Sequence, residues 1–225
     1  DIYTVSVMPC VAKKGERNME LFYGEYAGHD IDTVLTTREL TRMIRAAHID
    51  PKILKDRECD PLMKEWSGAG VIFGTTGGVM EAALRSAHYL VTGRNPDPDA
   101  FKIVRNPGGQ PGVVKAEIQL GDATVRAAVV SGLGNTRKLI EAIEHGEVHY
   151  DFVEVMACRR GCMAGGGQPV PIGARTKAAR YEGLYRIDDA SQIKRSNDNP
   201  IVGELYEGLL KGKEHKLLHN NSDLD

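Results

Sequence analysis

The sequence predicts an α/β fold with mostly parallel sheets flanked by helices. Short β-branched runs alternate with amphipathic helical stretches along most of its 225 residues. Apolar residues make up 41% and charged residues 27%, the balance of an ordinary globular chain with a real core. One pair of runs alternates apolar and polar residues across a glycine turn, as a hairpin does.

The elements follow in order. Ile2 to Met8 (IYTVSVM) reads as a buried strand that ends at Pro9-Cys10. Thr33 to Thr36 is a second short strand. Thr36-Thr37-Arg38-Glu39 offers a capping box, and Leu40, Met43, Ile44 and Ala47 then repeat at helical spacing. Val71-Ile72-Phe73 is a third strand, broken at Gly74, with a helix from about Gly77 to Val91. Val113 to Leu120 and Ala123 to Val130 form the hairpin across Gly121-Asp122. Asn135 to Glu144 is helical, and Phe152 to Val155 is another strand. Two amphipathic helices close the chain, about Ala174 to Tyr185 and Pro200 to Leu210. Residues 95–112 are the loosest stretch, and the polar tail from Lys211 to Asp225 is expected to fray.

The totals exclude several classes. Net charge is -2 with the two signs interspersed, which argues against nucleic acid or an anionic membrane as partner. No apolar run approaches the roughly 20 residues of a membrane span. No signal peptide is visible, and a start at Asp1 without methionine suggests a fragment or one subunit. Four cysteines are too few for a disulfide scaffold.

Ligands of open α/β sheets bind at the carboxyl ends of strands. Cys10, Gly74 and Cys158 are all expected there, so they are candidates for one site. Thiolates select zinc, copper(I) or iron-sulfur clusters. In MACRRGCMAGGGQP, Cys158 and Cys162 lie about one helical turn apart. Gly165, Gly166 and Gly167 remove side chains where a bulky ligand presses on the backbone. Backbone N–H groups in such a turn favour an anion. Buried core thiols and a plain zinc site are the competing readings. Cys59, in a charged segment without ligand spacing, is read as having no role beyond that of a remote fourth-ligand candidate. The seven histidines show no metal spacing, and His219 is read as a surface or packing residue.

At these residues the chain resembles the catalytic domain of FeFe hydrogenases. Met8-Pro9-Cys10-Val11-Ala12-Lys13-Lys14-Gly15-Glu16 is similar to that family's MPCxxKxxE signature. Glu154 to Cys162 is similar to its ExMxCxxGC signature, with GGGQP behind it. Phe73 to Ala83 (FGTTGGVMEAA) resembles the stretch between the two, and NPIVGELYEGLLKGKEHKLLH resembles the family's C-terminal helices. The resemblance implies one part of a two-lobed catalytic domain. It also implies reversible reduction of protons to dihydrogen at a 4Fe-4S cubane. A cysteine sulfur joins that cubane to a di-iron unit carrying CO, cyanide and a bridging dithiolate amine. By motif, Cys10, Cys158 and Cys162 are implied cubane ligands, and Cys162 also bridges to the di-iron unit. Lys13 is implied to hydrogen-bond an iron-bound cyanide. Met8, Met156, Phe73 and Gly74 are implied to line the di-iron pocket. Read without the resemblance, Lys13-Lys14 is a solvated pair and the methionines are core residues. Glu16 reads as capping or pairing, and Glu81 as scaffold.

The family's TSCCPxW signature, which supplies the fourth cubane cysteine, is not within residues 1–225. The whole chain is therefore expected to be the C-terminal portion of a catalytic domain, inactive alone and completed by an upstream segment or companion chain. Arg159-Arg160 stands where many members carry a glycine in the second position. The expected electron partner is a ferredoxin or an NAD(P)H-linked subunit. The expected compartment is the cytoplasm, or the periplasm where the parent or a partner is exported. A non-catalytic relative, an iron-sulfur assembly or sensory protein, is the alternative function.

Overall fold

Strand β1 (Val5–Met8) ends two residues before Cys10 in the computed structural model, which describes residues 2–24, 28–58, 60, 64–106, 112–170 and 172–218. The chain divides into two compact units: residues 1–64, 164–172 and 203–225, and residues 65–163 and 173–202.

In the first unit β1 pairs in parallel with β4 (Thr33–Thr36), Val5 opposite Thr33 and Met8 opposite Thr36. The strand is shorter than the expected Ile2 start and is not buried, since Val5 and Val7 are exposed. Among the described residues β1 has one strand neighbour, so its β-branched residues are covered on one side only. A short antiparallel pair, β2 (Tyr23–Gly24) and β3 (Gly28–His29), lies between them in sequence. After Cys10 the chain makes one helical turn, α1 (Lys13–Glu16).

Helix α2 (Thr37–Ala46) starts where the capping box predicts. The Thr36 hydroxyl accepts the Glu39 N–H at 3.2 Å, and Glu39 accepts the Thr36 N–H at 2.8 Å. The Thr36 amide, the Lys14 ammonium and the Thr36 hydroxyl all stabilise the charged Glu39 carboxylate, lowering its pKa to about 2.

The second unit holds the larger core. Strands β5 (Gly112–Leu120) and β6 (Ala123–Ser131) form the expected hairpin. Helix α5 (Leu133–Glu144) then crosses over to β7 (Phe152–Met156), which runs parallel to β6. Alternate residues of β6 bury both faces. Ala127 and Val129 join Ala116, Ile118 and Leu120 against Met80 and Leu84 of α4 (Gly78–Thr92). Ala128 and Val130 pack with Leu139 of α5.

The α/β class holds, with small sheets and mixed pairing: among the described residues, two strand pairs are parallel and two antiparallel.

Val71-Ile72-Phe73 is not a strand. Val71 and Ile72 end a short helix, α3 (Gly68–Ile72), with Phe73 as its C-cap and the Ser67 hydroxyl accepting the Gly70 N–H at its start. A three-residue apolar run fits a buried helical turn as well as a strand, and here the cap and local backbone bonds decide. Gly74 therefore follows a helix rather than a strand.

Helix α6 (Ala174–Ala190) runs past its expected end at Tyr185. A buried ionic cluster joins it to α4. Arg85 makes a bidentate pair with Asp188 and also reaches Glu81, while Arg105 and the Tyr185 hydroxyl donate to the same Glu81 carboxylate. Glu81 is thus scaffold, as its position within a helix suggested. Helices α7 (Pro200–Glu207) and α8 (Glu214–Leu218) follow, so part of the expected tail is ordered into a helix. The expectations for Cys59 and His219 lie outside the described residues. Among the described residues no helix is long and apolar enough to cross a membrane.

Candidate functional site

Two strands, one in each unit, end in methionine with a cysteine two residues on: Met8-Pro9-Cys10 after β1 and Met156-Ala157-Cys158 after β7. Strand ends free backbone from ladder pairing, so a side chain there can meet a ligand.

In the first unit the Met8–Cys10 end is clasped by the glycine-rich segment. Gly167 donates to the Pro9 carbonyl at 2.8 Å, and the Arg38 amide donates to Gly167 at 2.9 Å. The Arg38 guanidinium adds bonds to the carbonyls of Gly166 and Gln168. A Cβ on Gly167 would stand 2.9 Å from the Pro9 carbonyl carbon and 3.0 Å from the Cys10 nitrogen. At Gly167, then, the chain's own backbone demands the glycine. Gly166 has no such demand, since its Cβ would meet only Val11 Cγ2 at 3.8 Å. Cys10 is half-buried, and Met8 is likewise partly covered. The Lys13 ammonium pairs with Glu16 one turn along α1, so Glu16 does the pairing expected of it.

In the second unit the loop after β7 is held at both ends and along its length. Gly132 donates to the Met156 carbonyl, and the Ser131 hydroxyl donates to the Arg159 carbonyl at 2.8 Å. Gly161 donates to Cys158 at 3.2 Å and closes the turn between the two thiols. Met163 donates to the Gly74 carbonyl at 2.9 Å, and Arg180 of α6 donates to the Met163 carbonyl at 3.0 Å. Gly161 has φ +69°, and a Cβ there would lie 3.0 Å from Gly74 O and 3.1 Å from Thr76 N. The structure thus brings the Cys158–Cys162 loop onto the turn carrying Phe73 and Gly74, with Phe73 exposed beside it. Cys158 is exposed and Cys162 half-buried, and neither forms a disulfide. Arg159 lays its aliphatic stem over Gly132.

Sequence reasoning assigned no role to Glu154. Its buried carboxylate accepts Gly77 N–H at 2.8 Å and Met80 N–H at 2.7 Å, capping α4. Burial raises its pKa, against the lowering effect of the amides of Gly77, Met80 and Val79. The signal was an acidic residue inside the apolar run FVEVM. Thr76 was also overlooked. Its hydroxyl is buried with no hydrogen-bond partner among the described residues. Among the described residues no group of three His, Cys, Asp or Glu side chains forms a ready metal site.

Comparison with known proteins gives these arrangements a context. A family model described as iron only hydrogenase large subunit, C-terminal domain, matches residues 1–166, and one described as iron hydrogenase small subunit matches residues 174–221. Iron hydrogenase 1 of Clostridium pasteurianum is 38% identical over 97% of this chain and 39% of its own length. The periplasmic Fe hydrogenase large subunit of Nitratidesulfovibrio vulgaris is 45% identical over 82% of this chain and 44% of its own. Cytosolic iron-sulfur assembly component 3 of Mus musculus is 32% identical over 97% of the chain and 47% of its own. The chain spans under half the length of each of these three relatives. Among solved structures, an apo FeFe-hydrogenase HydA1 variant from Chlamydomonas reinhardtii superposes with a TM-score of 0.74 at 33% identity, over 96% of this chain and 62% of that one.

Proposed function

The chain belongs to the iron-only hydrogenase family, and from that premise we propose that it supplies most of a site for the reversible reduction of protons to dihydrogen. The observation that carries the reading is the seating of Gly161 against the Gly74–Thr76 turn. It fixes the loop of Cys158 and Cys162 beside Phe73 and Gly74. The donor set fits an iron-sulfur group: soft thiols outside disulfides, on tightly bonded turns.

Cys10, Cys158 and Cys162 would hold the cubane, and Cys162 would also bridge to the di-iron unit with its CO, cyanide and dithiolate amine. When bound, the combined group supplies the electrons and the metal centre at which protons and dihydrogen interconvert. The chain's own residues hold and insulate. Lys13 has three donors, so it can keep Glu16 and still donate to an anionic ligand. Met8 and Met156 offer polarizable thioethers, and Phe73 and Gly74 form a wall. The Arg38 clasp and the Glu154 cap keep the two strand ends in shape. Electrons would arrive from a ferredoxin or an NAD(P)H-linked subunit, and a further segment or chain would complete the site.

Kinship with an assembly component gives a second reading, a cluster-binding protein without the di-iron unit. The 38% and 45% identities to hydrogenases, against 32% to the assembly component, favour the enzyme. Anaerobic purification of the full-length protein, with metal and sulfide analysis, tests the cluster itself. A brown protein is expected, with labile sulfide and at least as much iron, the excess iron being that of the di-iron unit, and with both reduced in Cys10→Ser, Cys158→Ser and Cys162→Ser. A colourless protein carrying zinc would overturn both iron readings.

A further inference from the structure

Each cysteine of the second unit's loop is followed by a residue whose carbonyl accepts a side-chain donor from another element. After Cys158, the Arg159 carbonyl accepts the Ser131 hydroxyl at 2.8 Å. After Cys162, the Met163 carbonyl accepts Arg180 Nη1 at 3.0 Å. Both donors sit on anchored elements. Ser131 ends β6 and is fully buried. Arg180 lies on α6, which is tied down further along by Asp188 on Arg85 and by Tyr185 on Glu81. Leu184 of the same helix lies against Gly74, where a Cβ would come within 3.1 Å of its Cδ1. Met163 is held at both backbone groups, since its N–H also donates to the Gly74 carbonyl at 2.9 Å. The two side-chain bonds therefore bracket the loop and leave both thiol groups to other uses. The Arg180 bond also joins the large-subunit portion of the chain, which includes Met163, to the small-subunit portion, which begins at residue 174.

We propose that Ser131 and Arg180 are positioning residues that set the spacing of the Cys158 and Cys162 thiols for a cluster, so that α6 of the small-subunit portion governs how firmly the cluster is kept. The inference rests on the proposed cluster-binding reading of that loop. Two thiols on a free loop must give up conformational freedom to meet one cluster. A loop pinned one residue beyond each thiol has given up that freedom on folding, and its ligands are pre-organised. Groups outside the ligand shell that orient the ligands in this way strengthen metal binding without touching the metal.

The test uses the full-length protein, cluster-free and loaded with the cubane alone. Ser131→Ala, Arg180→Met and Arg180→Lys are compared with the parent. Hydrogen exchange of the cluster-free form, read by mass spectrometry of peptides, reports the loop itself. Peptides covering residues 158–163 should exchange faster in Ser131→Ala and Arg180→Met, while those of β5 and α4 keep parent rates. Cluster retention is read on the loaded form as the EPR signal that Cys162→Ser lacks, followed under the iron chelator bathophenanthroline disulfonate. Ser131→Ala and Arg180→Met should lose that signal about 10–100-fold faster than the parent and show an altered line shape. Arg180→Lys keeps a cationic donor and should recover part of the retention. Parent exchange rates in the loop, or faster exchange spread over the whole unit, overturn the inference. So does a loosened loop that keeps its cluster as long as the parent does, or an Arg180→Lys protein no better than Arg180→Met, and both leave the cluster reading standing. A parent protein that takes up no cluster overturns the cluster reading and the inference together.

Discussion

Glu154 accepts the Gly77 N–H at 2.8 Å across 77 positions of sequence, and this bond ties β7 to the start of α4. Glu154 lies four residues before Cys158, and Gly77 three after Gly74. The carboxylate therefore joins the two backbone segments that form the second unit's cysteine loop and its wall. Glu154→Gln keeps one acceptor but turns an amide N–H₂ toward a backbone donor. The expected loss is about 1–3 kcal/mol in denaturant unfolding, the usual cost of an unmet buried group. Wild-type stability in the glutamine variant would contradict the capping role.

The glycines should sort by what their backbone touches. Gly161→Ala places a left-handed alanine against Gly74 and Thr76, and the conformation alone costs about 1–2 kcal/mol. Gly167→Ala meets the Pro9-Cys10 backbone, whereas Gly166→Ala meets only one methyl at ordinary contact distance. Unfolding and iron content should drop in the first two variants and stay near parent values in the third. Equal tolerance at all three positions would show that these close approaches are not required.

Glu81 holds the buried Arg85, the partly buried Arg105 and a tyrosine hydroxyl. Desolvation disfavours the charged form of Arg85, but Asp188 and Glu81 more than offset it and raise its pKa. Glu81→Gln leaves the cations under-compensated in a dry site, and breaking such a pair costs about 3–5 kcal/mol. Chemical denaturation should show a loss of that order, which an exposed ion pair would never give.

Glu39 gives the pH dependence of α2. Its pKa, about 2 in the folded chain, lies below the roughly 4.3 of an unperturbed glutamate. Its contribution is therefore present above the unfolded value and lost as pH falls through about 2. The stability difference between the parent and Glu39→Gln should narrow over that window in an acid titration followed by circular dichroism. A difference that stays constant down to pH 2 would contradict the assigned cap.

Local chemistry made much of the fold legible. The Gly121-Asp122 hairpin, the Thr36–Glu39 box and the helices at α4 and α5 depend on neighbours a few residues away. The strand ends before Cys10 and Cys158 could be read for the same reason. Val71–Phe73 could not, because Ser67 and a buried Ile72 turn a β-prone run into helix. Distant partners hid the rest. Glu154 reaches Gly77, and Arg38 reaches Gln168 130 positions away, so neither role shows in any local pattern. Thr76 escaped notice because its distinguishing feature is a hydroxyl without a hydrogen-bond partner among the described residues. The glycine run was read as room for a ligand, but at Gly167 it is room for the chain's own Pro9-Cys10 backbone.

The most direct measurement is infrared spectroscopy of the full-length protein, matured anaerobically, in the region above the amide bands where metal-bound CO and cyanide absorb. The hydrogenase account predicts bands there that shift when Lys13 is replaced by methionine or Met156 by leucine. A brown protein with full iron and sulfide content and no such bands would contradict it, and would make the chain part of a cluster-binding protein that does not act on dihydrogen.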